Sequence, residues 1–266
     1  MRFKDNFFYN YVKVAPIPLA LERSLECDIL SKKTFARPIL DIGCGEGIFA
    51  RVLFDEKIDV GIDPNARELK RARELDAYDE LIECFGDKIP KPSDSYNTIF
   101  SNSVLEHISD IEPVLKEVRR LLCGNGNFYV TLPTDMFDRY GIVSRMLMGV
   151  GMENASERFR RFYNGFWKHY HYYDAAGWRD LFEKSGFTVV EVKEYGSKKI
   201  CTIDDFLTPF SIPSLLVKKV FNRWTLFPPM RPVLTFPLRV VVSQKDIEEA
   251  IGIEKGGLIF LHLKRR

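Results

Sequence analysis

The chain has 266 residues with 45% hydrophobic side chains, a formal net charge of +2 and five cysteines. This length suits one α/β domain with insertions, or a domain and a half. A chain of this size can bury enough surface to fold without stabilising cross-links such as disulfides or metal sites. The balanced charge excludes a general nucleic-acid binder, and the lack of a C-x-x-C pair argues against disulfides and structural zinc and indicates a reducing, cytoplasmic setting.

Residues 1–37 form an N-terminal extension before the first predicted strand. Apolar residues recur at helical spacing from Pro18 to Leu30, which predicts a helix there. Tyr9 and Tyr11 lie in an aromatic stretch that precedes it. The first six residues lack the apolar run of a secretory signal.

Residues 38–47, PILDIGCGEG, combine a short apolar strand with a glycine-rich turn and the start of a helix. Glycine lets the backbone approach a ligand without a Cβ in the way, and a helix N-terminus offers free N–H groups. The stretch therefore predicts a ligand site, although a glycine turn without a ligand is the alternative. A dinucleotide-binding turn wants Gly or Ala where this chain has Ile48, which disfavours that class.

The second predicted strand, 58–63, ends in Asp63, which follows Asp41 by 22 positions. At this spacing a carboxylate at the end of the second strand contacts the ribose of a bound nucleotide. It can accept hydrogen bonds from both ribose hydroxyls. The alternative is that Asp63 caps a helix that begins at Pro64.

Three segments in order now resemble the class I S-adenosylmethionine-dependent methyltransferases. The D-x-G-x-G-x-G pattern at 41–47 resembles their motif I, 84–90 resembles their third-strand end, and 101–108 resembles the fourth-strand signature of the small-molecule (type 11-like) branch. The resemblance covers roughly 38–195 and the last ten residues. One departure is Asn97, where the family usually has Asp.

The resemblance implies an α/β fold: a doubly wound, mostly parallel seven-stranded sheet whose last strand is antiparallel, with helical cap insertions. It implies that 38–133 is a Rossmann-like core that binds S-adenosylmethionine and that 1–37 is a helical lid with Tyr9, Tyr11 and Arg23 as its candidate residues. The alternative is that the aromatic residues only pack this extension onto the sheet. The implied cofactor residues are Arg23, Asp41, Gly43, Cys44, Gly45, Asp63, Pro64, Asp87, Lys88, Ile89, Asn102 and His107.

Individual roles follow from the same resemblance. Arg23 would reach the methionine carboxylate and Asp41 would orient nearby groups. Asp87 would meet the adenine amino group, with Ile89 against the base. Cys44 is there for its small size.

Residues 134–173 interrupt the strand–helix alternation with methionines, aromatic residues and two histidines. Because ligands bind beyond the carboxyl ends of the strands, this segment is predicted to cap the acceptor site. His107 and His171 are the predicted catalytic bases, with His169 a further candidate. For each, a structural histidine is the alternative, and no metal is predicted.

Residues 174–195 are predicted as a core helix and strand six, and 257–266 as strand seven. Between them lies an insertion, 196–256, in which 206–242 has basic and aromatic residues but no Asp or Glu. This composition favours contact with a membrane surface or a lipid-like substrate, while a packed subdomain or a dimer contact is the alternative. No run of 18 uncharged apolar residues occurs, so no spanning helix is predicted.

The sequence thus predicts a methyltransferase that acts on a small or lipid-linked acceptor and binds no nucleic acid. Two alternatives are a dinucleotide-dependent oxidoreductase and a catalytically inactive cofactor-binding protein of the same fold. These patterns specify neither the acceptor atom nor the oligomeric state.

Overall fold

A computed structural model describes residues 1–231, 233 and 244–266. The strands are β1 Ile39–Ile42, β2 Ile58–Asp63, β3 Tyr78–Glu83, β4 Tyr96–Asn102, β5 Leu122–Pro133, β6 Phe187–Tyr195 and β7 Leu258–Arg265. The helices are α1 Phe7–Val14, α2 Ile17–Leu30, α3 Ile48–Leu53, α4 Ala66–Leu75, α5 Glu112–Leu121, α6 Ile142–Gly149, α7 Glu153–Trp167, α8 Ala175–Lys184, α9 Lys198–Leu207, α10 Ile212–Phe221 and α11 Gln244–Glu248.

The seven strands form one sheet in the order β3-β2-β1-β4-β5-β7-β6. Strands β1 to β5 pair in parallel, and β7 runs antiparallel to both β5 and β6. The predicted fold class is confirmed. This order places the carboxyl ends of β1 and β4 side by side, where an open α/β sheet binds its ligand.

Alternating residues of the strands feed two separate cores. On β4, Phe100 packs with Tyr11 and Phe54 beneath the N-terminal helices, while neighbouring Ile99 packs with Trp178 on the opposite face. Successive side chains of a strand point to opposite faces of the sheet, so a continuous apolar run contributes to the core on each face. Tyr11, a predicted lid residue, is therefore part of the core.

The fifth strand is longer than predicted. The glycines at 124 and 126 predict a turn over 123–126, with the strand following over 128–132, yet β5 begins at Leu122. The register with β4 jumps from Tyr96 opposite Leu122 to Thr98 opposite Asn127. The glycines of this stretch thus lie in a bulge, which is a common place for them in a sheet.

The described part of the insertion between β6 and β7 is largely helical and packs on the core, with α9 against α2. Among the described residues one helical run, Lys198–Phe221, is long and apolar enough to cross a membrane by length and composition. This differs from the sequence prediction. The run carries Asp204 and Asp205 and includes a 3₁₀ turn, Thr208–Ser211, between α9 and α10.

Candidate cofactor and acceptor site

The glycine turn joins β1 to α3 and has a left-handed backbone at Gly43, Gly45 and Gly47. A Cβ on Gly43 would lie 2.5 Å from Val104 Cγ1, so this glycine allows the loop after β4 to approach. A Cβ on Gly45 would meet no atom within 4 Å. The turn is therefore packed on one side and open at Gly45, which is where a ligand could lie against the backbone.

The Asp63 carboxylate at the end of β2 holds this turn in place. One oxygen accepts the Gly45 N–H at 3.0 Å and the other accepts the Asn65 N–H at 2.8 Å. Asn65, not Asp63, caps α4, by accepting the Arg67 N–H at 3.0 Å. A carboxylate has further lone pairs, so Asp63 can still accept ribose hydroxyls beside Pro64.

Asp41 lies buried beneath the turn. The Tyr78 hydroxyl donates to its Oδ2 at 2.7 Å. Burial raises the pKa of Asp41 to about 7, against a smaller lowering by that hydrogen bond. Cys44, next to it in the turn, is also buried, and burial raises the pKa of its thiol, which is therefore inert at neutral pH.

The segment after β3 differs in detail from the prediction. Asp87 and Lys88 are exposed, but Ile89 is buried in the core and its N–H donates to Glu117 Oε1 at 2.8 Å. Ile89 is therefore not available to cover an adenine. Phe85 is 71% exposed two residues before Asp87 and is the apolar side chain that could do so.

Glu26 of α2 is the centre of a buried hydrogen-bond network that the sequence did not reveal. It is 0% exposed, and its carboxylate accepts from Arg23 at 2.8 Å, Asn102 at 2.9 Å, Ser103 at 2.9 Å and Tyr195 at 3.1 Å. This network brings two predicted cofactor residues, Arg23 and Asn102, together at the carboxyl end of β4. The available signal was an acid on the apolar face of a helix.

A cavity of about 260 Å³ opens beside this network. Residues of α2, the loop after β4, the 134–173 segment and the insertion all line it. Its apolar wall includes Pro133, Phe137, Tyr163, Trp167, Leu215 and Trp224.

Two histidines line this cavity. His107 and His169 lie with ring centroids 5.2 Å apart. His107 Nδ1 contacts Lys168 O at 3.3 Å and His169 Nδ1 contacts Asn164 Oδ1 at 3.2 Å. Burial lowers the pKa of His107 and lowers that of His169 to about 4, so both rings are neutral at pH 7 and able to accept a proton.

His171, predicted as a catalytic base, is not among the described residues that line the cavity. Its Nε2 contacts Ile108 O at 2.9 Å and its Nδ1 contacts the Tyr173 hydroxyl at 3.1 Å. Both ring nitrogens are thus engaged, which is the structural role weighed as the alternative. His169 takes its place in the cavity.

Two carboxyl groups in the cavity wall lack partners among the described residues. Glu106 is 2% exposed, and its Oε2 has no hydrogen-bond partner; the same holds for Asp204 Oδ1. Burial raises the pKa of Glu106 to about 8 and that of Asp204 well above its usual value. Unpaired buried carboxyls are costly, so they indicate a site for a ligand.

The insertion also reaches the glycine turn. Trp224 Nε1 donates to Glu46 Oε1, and Lys218 Nζ lies 3.1 Å from Glu46 Oε1 and 2.7 Å from Glu68 Oε2. The Lys218 ammonium also lies 5.5 Å from the centroid of the Trp224 ring. These contacts fasten α10 and the residues after it over the edge of the turn.

A family model described as a methyltransferase domain matches residues 22–192 of this chain. A malonyl-[acyl-carrier protein] O-methyltransferase of Legionella pneumophila is 27% identical over 135 residues, which are 48% of each chain. A sterol 24-C-methyltransferase of Aspergillus fumigatus is 30% identical over 156 residues, 52% of this chain and 41% of that one. The matches span less than half the length of these curated relatives.

A crystal structure of an S-adenosylmethionine-dependent methyltransferase from Thermotoga maritima, described as a possible histamine N-methyltransferase, has a similar fold. Its TM-score is 0.54 at 16% identity, covering 94% of this chain and 89% of that one. At that identity the likeness concerns the fold alone.

Proposed function

This chain belongs to the class I S-adenosylmethionine-dependent methyltransferases, and from that membership we propose that it methylates a small, largely apolar acceptor held in the cavity. The observation that carries the proposal is the cavity itself, which is lined by aromatic and apolar side chains and lies beside the Arg23–Glu26 network. Pockets of this kind bind small molecules through apolar walls and a few placed polar groups.

The residues present fit the cofactor. Gly45 leaves open space for its backbone approach, Asp63 can accept ribose hydroxyls, and Arg23 can pair with a carboxylate from its place beside Glu26. When bound, S-adenosylmethionine would supply an electrophilic methyl group on a sulfonium. Phe85 and Asp87 would meet the adenine end.

The chain's own contribution is alignment and exclusion of water. The contacts of Trp224 and Lys218 with Glu46 close the insertion over the turn, and the 134–173 segment supplies Tyr163 and Trp167 to the cavity. An acceptor that must lose a proton would find the neutral ring of His107 or His169, or the Glu106 carboxyl.

Titration calorimetry tests the cofactor assignment. We expect the wild type to bind S-adenosylmethionine and not NAD, which would set aside the oxidoreductase alternative. Gly45→Val should weaken binding because the side chain would fill the open space in the turn and strain a backbone with φ +51. An affinity unchanged by this substitution would contradict the assignment. Release of S-adenosylhomocysteine with candidate acceptors separates an active enzyme from an inactive binding protein.

A second proposal is that the insertion rests on a lipid surface. Of the predicted 206–242 contact, residues 232 and 234–242 lie outside the described residues. In the described part, large apolar side chains are exposed: Phe206, Phe210, Leu216, Val220, Phe221 and Phe227. The cations Lys218 and Arg223 instead pair with Glu46, Glu68 and Glu74, so the contact we propose is apolar rather than electrostatic.

Liposome sedimentation tests this contact. We expect the protein to bind phosphatidylcholine vesicles with little dependence on salt, and Phe221→Ser with Phe227→Ser to abolish binding. Phe85→Ser, an exposed aromatic of the core domain, is the matched control. If the protein binds only anionic vesicles and this binding weakens as salt rises, the contact is made by basic residues and the apolar proposal is wrong.

A further inference from the structure

More carboxyl groups than Lys or Arg side chains line the acceptor cavity among the described residues. Glu22, Glu106 and Asp204 line it, and Arg23 is the one Lys or Arg among the described residues that do. Arg23 is already engaged by both oxygens of Glu26 at 2.8 Å and by Glu22 at 3.3 Å. In the proposed function the remaining hydrogen-bond capacity of Arg23 serves the cofactor carboxylate, so no Lys or Arg among the described lining residues is left to balance Glu106 and Asp204.

The groups that face Glu106 show why it remains unpaired. The titratable or charged groups around it are Glu22, Arg23 and Glu26 of α2, His107 beside it, His169 of the cap and Asp204 of α9. Glu106 Oε1 is 3.8 Å from His107 Nε2, too far for a hydrogen bond, and Oε2 has no partner among the residues that the structure describes. The Glu106 carboxyl, nearly sealed from solvent, thus offers an unused oxygen to the cavity.

The cavity wall is also aromatic. Phe137, Tyr163, Trp167 and Trp224 contribute rings to the same space as the two carboxyls. The face of an aromatic ring attracts cations, and a desolvated carboxylate attracts them more strongly. An apolar body with a cationic end complements both features at once.

We propose that the methyl acceptor of this cavity carries a protonated amine, which is recognised by the carboxyls of Glu106 and Asp204. This inference rests on the proposed function, because it names the chemical class of acceptor for the same cavity. A neutral hydroxyl acceptor would leave two carboxyls to be held as protonated donors, and it is the competing outcome of the test.

Glu106 also supplies the proton transfer that such an acceptor needs. An ammonium has no lone pair, so it first gives one proton to the ionised Glu106 carboxyl. The freed lone pair then forms the N–C bond as the methyl carbon's bond to sulfur breaks, with that electron pair remaining on sulfur. The methylated nitrogen leaves as a cation and Glu106 returns its proton to solvent.

The first experiment compares hexylamine with 1-hexanol by calorimetry at pH 7, with and without S-adenosylhomocysteine, which is neutral at sulfur. We expect the amine to bind at least about tenfold more tightly, the size of one charge-assisted hydrogen bond. Buffers of different ionisation enthalpy should report release of up to one proton with the amine and none with the alcohol. Equal affinity, or tighter binding of the alcohol, would overturn the inference.

Variants assign the effect to residues. Glu106→Gln should reduce proton release and reduce the amine preference about tenfold, and Asp204→Asn should reduce the preference independently. Glu112→Gln, an exposed acid at the start of α5, is the matched control and should keep both. A purely structural Glu106 would leave proton release in place, and that result would refute its role.

The two levels of proposal fail separately. Loss of the proposed function appears as no heat with S-adenosylmethionine or S-adenosylhomocysteine. Loss of the amine inference appears as no preference for hexylamine in the protein without cofactor. If Glu106→Gln does not fold by circular dichroism, the wild-type proton release and Asp204→Asn still decide the matter.

Discussion

The two halves of the site differ in how their buried polar groups are satisfied. On the cofactor side, Asp63 and Glu26 use both carboxylate oxygens on donors of the chain itself. On the acceptor side, Glu106 and Asp204 each keep a buried oxygen without a partner among the described residues. Asp63 and Glu26 are therefore held in place whether or not a ligand is present, whereas Glu106 and Asp204 are complete only when something binds. On the cofactor side, Glu46 Oε2 is likewise without a partner among the described residues.

The largest expected effect breaks the satisfied half. Glu26→Ala removes the acceptor shared by Arg23, Asn102, Ser103 and Tyr195 and leaves the Arg23 guanidinium with Glu22, at 3.3 Å, in place of its closer carboxylate partner. We expect a loss of about 3–5 kcal/mol in the free energy of unfolding, measured in urea. Asp28→Ala, which breaks an exposed pair with Lys32, should cost less than about 1 kcal/mol. Similar losses in both would contradict the comparison.

A substitution in the unsatisfied half should act in the opposite direction. The pKa of Glu106 is raised to about 8, so the unfolded state loses its proton first and stability falls as pH rises from the ordinary value of 4.5 to about 8. The Glu106→Gln variant has no carboxyl to lose a proton, so its free energy of unfolding at pH 8 should exceed that of the wild type by on the order of 3 kcal/mol. Near pH 4 the two proteins should differ little. Urea unfolding at the two pH values measures it. A destabilised variant at pH 8 would mean that Glu106 has a partner.

Substitution of Asp63 tests whether a carboxylate with both oxygens already hydrogen-bonded also contributes to ligand binding. Asp63→Ala removes the acceptor for Gly45 N–H and for ribose hydroxyls, so affinity for S-adenosylmethionine should fall by about 1–3 kcal/mol. Asp79→Ala, an exposed acid of β3, should leave the calorimetric affinity unchanged. An equal effect of the two would remove Asp63 from the cofactor site.

The smallest expected effect concerns the contact by which Trp224 of the insertion holds Glu46 of the glycine turn. Trp224→Phe keeps the ring and removes the N–H that donates to Glu46. We expect S-adenosylhomocysteine to dissociate about fivefold faster in stopped flow, as for the loss of one hydrogen bond. Trp167→Phe, in the cavity wall but without this bond, is the control. Unchanged dissociation would show that the insertion does not retain the cofactor.

Sequence patterns predicted the half of the site that is local in the chain. The glycine turn and Asp63 each follow a strand directly. Because a parallel sheet brings the carboxyl ends of its strands together, the spacing of these residues along the chain predicts that they lie close in space. The mostly parallel seven-stranded sheet with its antiparallel last strand was predicted from the resemblance to the class I methyltransferases, and the structure confirms it. Ile89 was misassigned because the residues that bury it come from α5, beyond the reach of a local pattern.

The acceptor half could not be predicted because long-range packing builds it. His169 and His171 are two positions apart, and only the contacts with Asn164 and with Ile108 O decide which one faces the cavity. Asp204 reaches the same cavity from the insertion after β6. No spacing rule connects these positions with Glu106, so the unpaired carboxyls became visible only in the fold.

The position of β7 has a consequence for how the protein is assembled. β6 ends at Tyr195 and joins the sheet through β7, which begins at Leu258 and also pairs with β5. During synthesis the ribosome therefore emits the whole apolar insertion while β5 still has a bare edge. Closing so long a loop is entropically unfavourable and slows folding. The nascent chain thus spends its most aggregation-prone interval before β7 is synthesised, when a chaperone that covers the β5 edge would raise the yield of folded protein most.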